Sequence, residues 1–387
     1  MPELAKRTQN LTASATMAMQ KRANALRAEG TDVVDFGIGE PDFATPDSIK
    51  RAAEEALEKN YTKYTSAGGT AEARAAVAEK YKRDYGATFD PKSEIVVSCG
   101  AKQALYNAVL ALFEEGDEVM LPAPYWVTYP DQIEMAGAKV VVINTSEAND
   151  FSLTATEVES AITDRTKAII LNFPNNPSGA VIADEEIEKI VALARTHDFY
   201  VIFDECYEHF VYDGKSISAA PFGKENVLLI GSCSKTYAMT GWRIGWAAGS
   251  SDIIKVMENL QSQATSNPNS IAQWAASKAL TGDQSSIPMM LGEYRKRRDV
   301  IVEGLNNLPG VTCIEPKGSF YVFPNISGRF GETIKDSDDF VEHLLNEAAI
   351  VSVSGIEFGM DGYIRLSYAT SLDRINEGLR RMNELLA

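Results

Sequence analysis

A chain of 387 residues, 45% hydrophobic and 24% charged, has the composition of a soluble globular protein long enough for two domains or one large α/β unit with appendages. Its 37 basic against 54 acidic residues leave a net charge of −17, a surface that repels nucleic acid and anionic membranes, so neither is expected as a partner. Three scattered histidines (His197, His209, His343) and four distant cysteines (Cys99, Cys206, Cys233, Cys313) leave little to build a zinc site, a Ser-His-Asp triad or a disulfide framework from.

The opening stretch MPELAKRTQN lacks the apolar core of a signal peptide and no run approaches the length of a membrane span, so a cytoplasmic location is expected. Residues 1 to 30 read as an arm followed by an amphipathic helix carrying Met17, Met19, Ala23 and Leu26. The turn Gly37-Ile38-Gly39-Glu40-Pro41-Asp42 follows, with two glycines where the backbone could approach a ligand, although an ordinary loop has the same look. Helices are expected from Thr45 to about Leu57 and from Ala71 to Tyr81, separated by the loop Lys63 to Gly69.

From Glu94 the pattern becomes strand, loop, helix, repeated. Ile95-Val97, Glu118-Leu121, Lys139-Ile143, Lys167-Leu171, Tyr200-Phe203 and Val227-Ile230 are short apolar runs, most of them separated by helical patterns such as Ile187, Ile190, Val191 and Ala194 behind a possible cap at Asp184. Such alternation predicts an α/β fold with a mostly parallel central sheet covered by helices on both faces. Beyond residue 250 come long helical stretches (252–264, 270–280, 290–308), strands at Ser319–Phe323 and Tyr363–Ser367, a helix at 340–348 and a closing amphipathic helix. We therefore expect a large domain over 46–281 and a smaller α+β domain made of 1–45 with 282–387.

The residue most at odds with its surroundings is Lys235, which follows the apolar strand Val227-Ile230 with Ser232 and Ser234 beside it and Arg243 eight residues on. A lysine there is either a snorkelling surface charge or an amine desolvated enough to act as a nucleophile. Hydroxyls and an arginine are the groups that hold a phosphate next to such an amine, which points to pyridoxal phosphate. Four further strand ends offer matching parts. Asp204 could keep a pyridine nitrogen protonated, or merely cap its turn, and Tyr207 and Asn176 could hold a ring hydroxyl. The amides of Gly100, Ala101 and Lys102 open a helix, and Trp126 could stack on a flat ring or simply be core.

In order along the chain, GIGEPDF, KYTSAGG, GAKQALYN, PYWVTYP, NFPNNPSGA, DECYEH, SCSKTYAMTGWRIGW, GSFYVFP and YIRLSYA resemble a class I aminotransferase of fold type I, nearly end to end, most like the bacterial aspartate aminotransferase branch. The resemblance implies pyridoxal 5'-phosphate bonded to Lys235, with Asp204 on its ring nitrogen, Asn176 and Tyr207 on its hydroxyl and Trp126 against its face. It implies phosphate ligands at Gly100, Ala101, Lys102, Ser232, Ser234 and Arg243, with Tyr64 reaching across from a second subunit of a homodimer. Arg365 and Gly39 are implied to hold the substrate α-carboxylate, and Lys102 with Thr16 the far carboxylate of aspartate or glutamate, unless Lys102 is only a solvated helix-start charge. An aromatic, alanine or prephenate aminotransferase, or a lyase on the same scaffold, is the alternative, with Thr12 speaking against prephenate. Ser354-Gly355 departs from the Pro-Gly usual in the family and leaves the geometry of that loop open.

Overall fold

The computed structural model describes the backbone from residue 15 and the side chains from residue 19, so Thr12 and the side chain of Thr16 lie outside the described residues. In chain order the first half runs α1 (Ala15–Ala28), β1 (Val34–Asp35), α2 (Asp47–Glu58), α3 (Ala71–Tyr85), β2 (Ile95–Ser98), α4 (Ala101–Leu112), β3 (Glu118–Ala123), α5 (Thr128–Met135), β4 (Lys139–Asn144), α6 (Ala155–Ala161), β5 (Thr166–Asn172) and α7 (Asp184–His197). Then come β6 (Tyr200–Asp204), β7 (Val227–Ser232), β8 (Gly245–Ala248), α8 (Ser251–Ala264), α9 (Ser270–Thr281) and α10 (Ser286–Asn306). The chain closes with β9 (Tyr321–Val322), α11 (Ser337–Ala348), β10 (Ile350–Val351), β11 (Val353–Ser354), β12 (Ile364–Ser367) and α12 (Leu372–Leu386).

Seven strands form one sheet in the order β2-β8-β7-β6-β5-β3-β4. Strands β3 to β7 pair in parallel, and β8 runs antiparallel to both its neighbours. The apolar runs lack alternation because both faces are covered. Val201, Phe203 and Leu229 face a core shared with α2, α3, α6, α7 and α9, while Ile202, Leu228 and Ile230 face one shared with α4, α5 and α8. The expected α/β fold is therefore found, with helices on both faces.

A third core gathers α10, α11 and α12 around β9, β10 and β12. It also takes in Val34 and Phe36, because β1 pairs with β10 in the register Val34↔Ile350. The expected strand at Ser319–Phe323 contracts to β9, since Ser319 takes a φ of +54° that no strand tolerates. Asp184 is not a cap either: Ala183 holds that position, and Asp184 is the first helical residue, its carboxylate paired with Lys215. The loop at Ser354-Gly355 is settled by two contacts. Ser354 caps the 3₁₀ turn Gly355–Phe358 by accepting the Ile356 amide at 3.3 Å, and Gly355 lies against the Tyr363 carbonyl, where a Cβ would sit at 2.5 Å.

Candidate active site

The carboxyl ends of β3, β5, β6 and β7 open into a cavity of about 660 Å³, the place where open parallel sheets bind their ligands. Gly39, Ala101, Lys102, Trp126, Asn176, Asp204, Tyr207, Ser232, Ser234, Lys235, Arg243 and Arg365 all line it. Twelve residues singled out in the sequence thus meet in one place. Gly100 stands just behind the wall at a φ of +83°, and a Cβ on it would run into the Arg243 guanidinium. Tyr64 is elsewhere, 91% exposed and outside the cavity of its own chain.

Lys235 is carried three residues past the end of β7 into a half-buried position in the cavity wall, where its amine donates to the Gly39 carbonyl. Burial brings its pKa down to about 8, Arg365 and Arg243 push the same way, and Cys206 and Glu40 oppose them. A primary amine tuned this close to neutrality can both bond a carbonyl carbon and carry a proton. An amine turned into the cavity onto a backbone carbonyl is not a snorkelling surface charge.

Asp204 ends β6 and is 3% exposed. One carboxylate oxygen accepts the Cys206 amide at 3.0 Å, so Asp204 does brace its turn, and the other accepts the Tyr129 hydroxyl at 2.8 Å. Burial raises its pKa while these hydrogen bonds and the Lys235 charge oppose the rise. Tyr129 is itself fully buried, which holds its hydroxyl protonated and keeps it a donor. Sequence reading missed Tyr129, although it sits three residues after Trp126 in the same motif.

Around one side of the cavity lie the groups suited to a dianion. The first amides of α4 have no intrahelical acceptor, Ser232 ends β7 with Ser234 two residues on, and Arg243 is fixed by donating to the Thr240 carbonyl at 2.9 Å. Glycine at 245 lets β8 come this close to α4, because a Cβ there would collide with the Ala101 amide. Sequence, strand ends and helix N-terminus converge on one anion cradle beside one depressed amine and one buried carboxylate, a donor set that fits a phosphorylated pyridine aldehyde.

At the opposite side Arg365 rises from β12, 4% exposed, donating to the Asn176 side-chain oxygen at 3.0 Å and to the Gly37 carbonyl at 2.7 Å. Its Nε has no partner among the described residues. A buried guanidinium with donor capacity left over is fitted to a carboxylate. Tyr207 meets Tyr321 hydroxyl to hydroxyl at 2.8 Å, and Tyr321 in turn requires glycine at 39, where a Cβ would lie 2.6 Å from its oxygen. Lys102 places its ammonium 4.7 Å from the centre of the Trp126 ring.

The model of the aminotransferase class I and II family matches residues 31–382. The aspartate aminotransferase of Bacillus subtilis is 43% identical over 99% of each chain, and the aspartate/prephenate aminotransferase of Thermus thermophilus is 41% identical over 100% of this chain and 99% of its own. Among solved structures, the Thermus thermophilus aspartate aminotransferase with maleate superposes with a TM-score of 0.96 at 41% identity over the whole of both chains. The aromatic aminotransferase of Pyrococcus horikoshii reaches 0.88 at 39% identity over 95% and 98%. Likeness of this extent leaves the cavity no unrelated history, and the chain belongs to the class I and II aminotransferase family.

Proposed function

We propose that the chain is a pyridoxal 5'-phosphate-dependent aspartate aminotransferase that moves the amino group of aspartate or glutamate to a 2-oxo acid such as 2-oxoglutarate in two half-reactions, by a ping-pong scheme. The observation that carries this reading is that Lys235, Asp204 and Arg365 line the same cavity, an amine, a buried carboxylate and a buried guanidinium within one ligand's reach. When bound, the cofactor supplies an aldehyde to receive the amino group and a charged ring to delocalise the electrons left on the α-carbon.

In this reading Lys235 would hold the cofactor's aldehyde and, once freed by the substrate's amino group, would carry the proton from the substrate α-carbon to the cofactor's aldehyde-derived carbon, a base already in position. Asp204, oriented by Tyr129, holds the proton on the ring nitrogen. Asn176 and Tyr207 hold the ring hydroxyl and Trp126 covers the ring face. The amides at Gly100, Ala101 and Lys102, with Ser232, Ser234 and Arg243, hold the phosphate. Arg365 and Gly39 orient the substrate α-carboxylate, and Lys102 with Thr16 receives the distal one. The exposure of Tyr64 outside its own cavity supports a homodimer in which it completes the partner's site. The pairing of β1 with β10 supports the division into 46–281 and 1–45 plus 282–387. No helix among the described residues is long and apolar enough to cross a membrane.

The deciding experiment is a half-reaction. Mixed with aspartate and no acceptor, the holoenzyme should convert its cofactor stoichiometrically to pyridoxamine phosphate and release oxaloacetate. Release of ammonia or carbon dioxide with the aldehyde form retained would instead mark a lyase or decarboxylase. A panel of amino donors including alanine, phenylalanine and prephenate as acceptor then fixes the range.

A further inference from the structure

Three charged side chains line the mouth of the cavity without a hydrogen bond or ion pair among the described residues: Lys102 from α4, Asp131 from α5, and Glu357 from the 3₁₀ turn Gly355–Phe358. Their places are fixed by the backbone beneath them. Gln132, the neighbour of Asp131, donates to the Lys102 carbonyl at 3.3 Å, tying α5 to α4. The Tyr125 amide donates to the Phe358 carbonyl at 3.1 Å, and Gly359 lies against the Tyr125 ring, tying the turn with Glu357 to the same wall. Two carboxylates and one ammonium therefore share this rim, with Asp131 on the helix tied to the one that carries Lys102.

We propose that Asp131 is a specificity-determining residue that competes with the substrate's second carboxylate for Lys102, with Glu357 adding negative charge beside it, weakening the cavity's preference for dicarboxylates and leaving it open to uncharged side chains. This rests on the reading of Lys102 as the distal-carboxylate ligand. A dicarboxylate entering the mouth brings its second negative charge to an ammonium that Asp131 already compensates in part. A neutral side chain leaves Lys102 compensated by Asp131, so it enters without that opposition. Electrostatic traces of the arrangement are visible in the groups themselves. Burial pushes the Asp131 carboxyl up and Lys102 pulls it back. Burial also pushes Glu357 up, and Asp338 and Asp131 add to that. Burial lowers the Lys102 ammonium, Arg243 lowers it further, and Asp131 holds it up.

The test compares binding of succinate and butyrate to the holoenzyme, followed by the absorbance of the bound cofactor and needing no turnover. These ligands differ in the second carboxylate alone. Asp131→Asn and Glu357→Gln should each tighten succinate on the order of three- to tenfold while leaving butyrate within about twofold, the range expected for removing one unit charge at a half-exposed site. Unchanged butyrate binding also shows that the variants are folded. If neither variant tightens succinate more than butyrate, the proposal is overturned. Lys102→Met judges the underlying reading separately, since it should weaken succinate about tenfold or more and spare butyrate. Should it leave succinate untouched, Lys102 is not the distal ligand, and a gain in Asp131→Asn would be plain repulsion between anions rather than competition.

Discussion

The floor and the mouth of the cavity are built on opposite principles. At the floor, both oxygens of Asp204 accept hydrogen bonds, Tyr129 is aimed at it from a fully buried position, and the Lys235 amine rests on a carbonyl. At the mouth, Lys102, Asp131 and Glu357 hold no such partner among the described residues. Buried polar groups must be satisfied by the protein or the fold does not form, whereas half-exposed charges are satisfied by water until something displaces it. The floor is thus fixed before any ligand arrives and suits chemistry that must be geometrically exact. The mouth is left to be completed by the ligand and suits discrimination.

The largest expected effect breaks the floor at its centre. Lys235→Ala removes the amine that bonds the aldehyde and moves the α-proton, and kcat should fall by about 10⁴-fold or more, with the visible band of the holoenzyme lost. Near-normal turnover without an added amine would leave the proposed function without its base. Next comes Arg365→Leu, which strips a buried guanidinium from its two acceptors and from the substrate carboxylate. Loss of one partner of a buried charged pair costs about 2–5 kcal/mol. In kcat/KM that corresponds to a fall of roughly 30-fold to several thousand-fold. If this change fell on kcat alone with KM untouched, Arg365 would have to be acting on the reaction rather than holding the substrate.

Smaller again is Tyr129→Phe, which removes one hydrogen bond to a charged acceptor, about 1.5–3 kcal/mol. The Asp204 carboxyl, already raised by burial, should rise further without this donor. The expected result is a roughly 10- to 100-fold lower kcat, with the acid limb of the pH profile moved upward. A structural role alone would lower the amount of active protein and leave the profile in place, so the limb is the measurement that decides.

These residues differ in how far the sequence betrays them. Lys235 and Asp204 stand out because each is a charge at or just past the end of an apolar run, a combination that burial makes costly without a purpose, whereas Arg365, inside Tyr363–Ser367, comes only with the family resemblance. Tyr129 and Tyr321 do not, because a buried tyrosine reads as core until its hydroxyl is seen to meet a carboxylate or another hydroxyl. Asp131 and Glu357 look like any surface acid. Six strands of the sheet are legible from apolar runs, all but the edge strand β4 largely buried, but β8 is not. Its residues, Gly-Trp-Ala-Ala, have little strand propensity, and their conformation is imposed by pairing with β2 and β7 on either side. Helices α5 and α6 also escape, the first with Pro130 in its opening turn and both no longer than eight residues.

The smallest expected effect lies directly behind the floor and asks whether a satisfied buried charge can still be a liability. Glu205, next to Asp204 in the chain, accepts hydrogen bonds from Tyr81 at 2.9 Å and from Ser218, while Glu208 beside it pairs with Lys80. Burial raises the Glu205 carboxyl above its ordinary range and the neighbouring Glu208 raises it further, toward about 8, with Lys80 opposing. A carboxyl whose pKa is higher folded than unfolded binds its proton more tightly in the native state. Stability from it is complete below the ordinary carboxylate pKa and falls as pH climbs from there through the folded value, by about 1.4 kcal/mol per pH unit at most. Glu205→Gln cannot ionise and should lose this slope. The holoenzyme variant should therefore gain on the wild type in melting temperature between pH 6 and pH 8.5, with activity at pH 7 little changed. A gap between the two proteins that stays constant over that range would mean that Glu205 does not titrate there and that Lys80 compensates both carboxylates, making the layer behind the floor as fully satisfied as the floor itself.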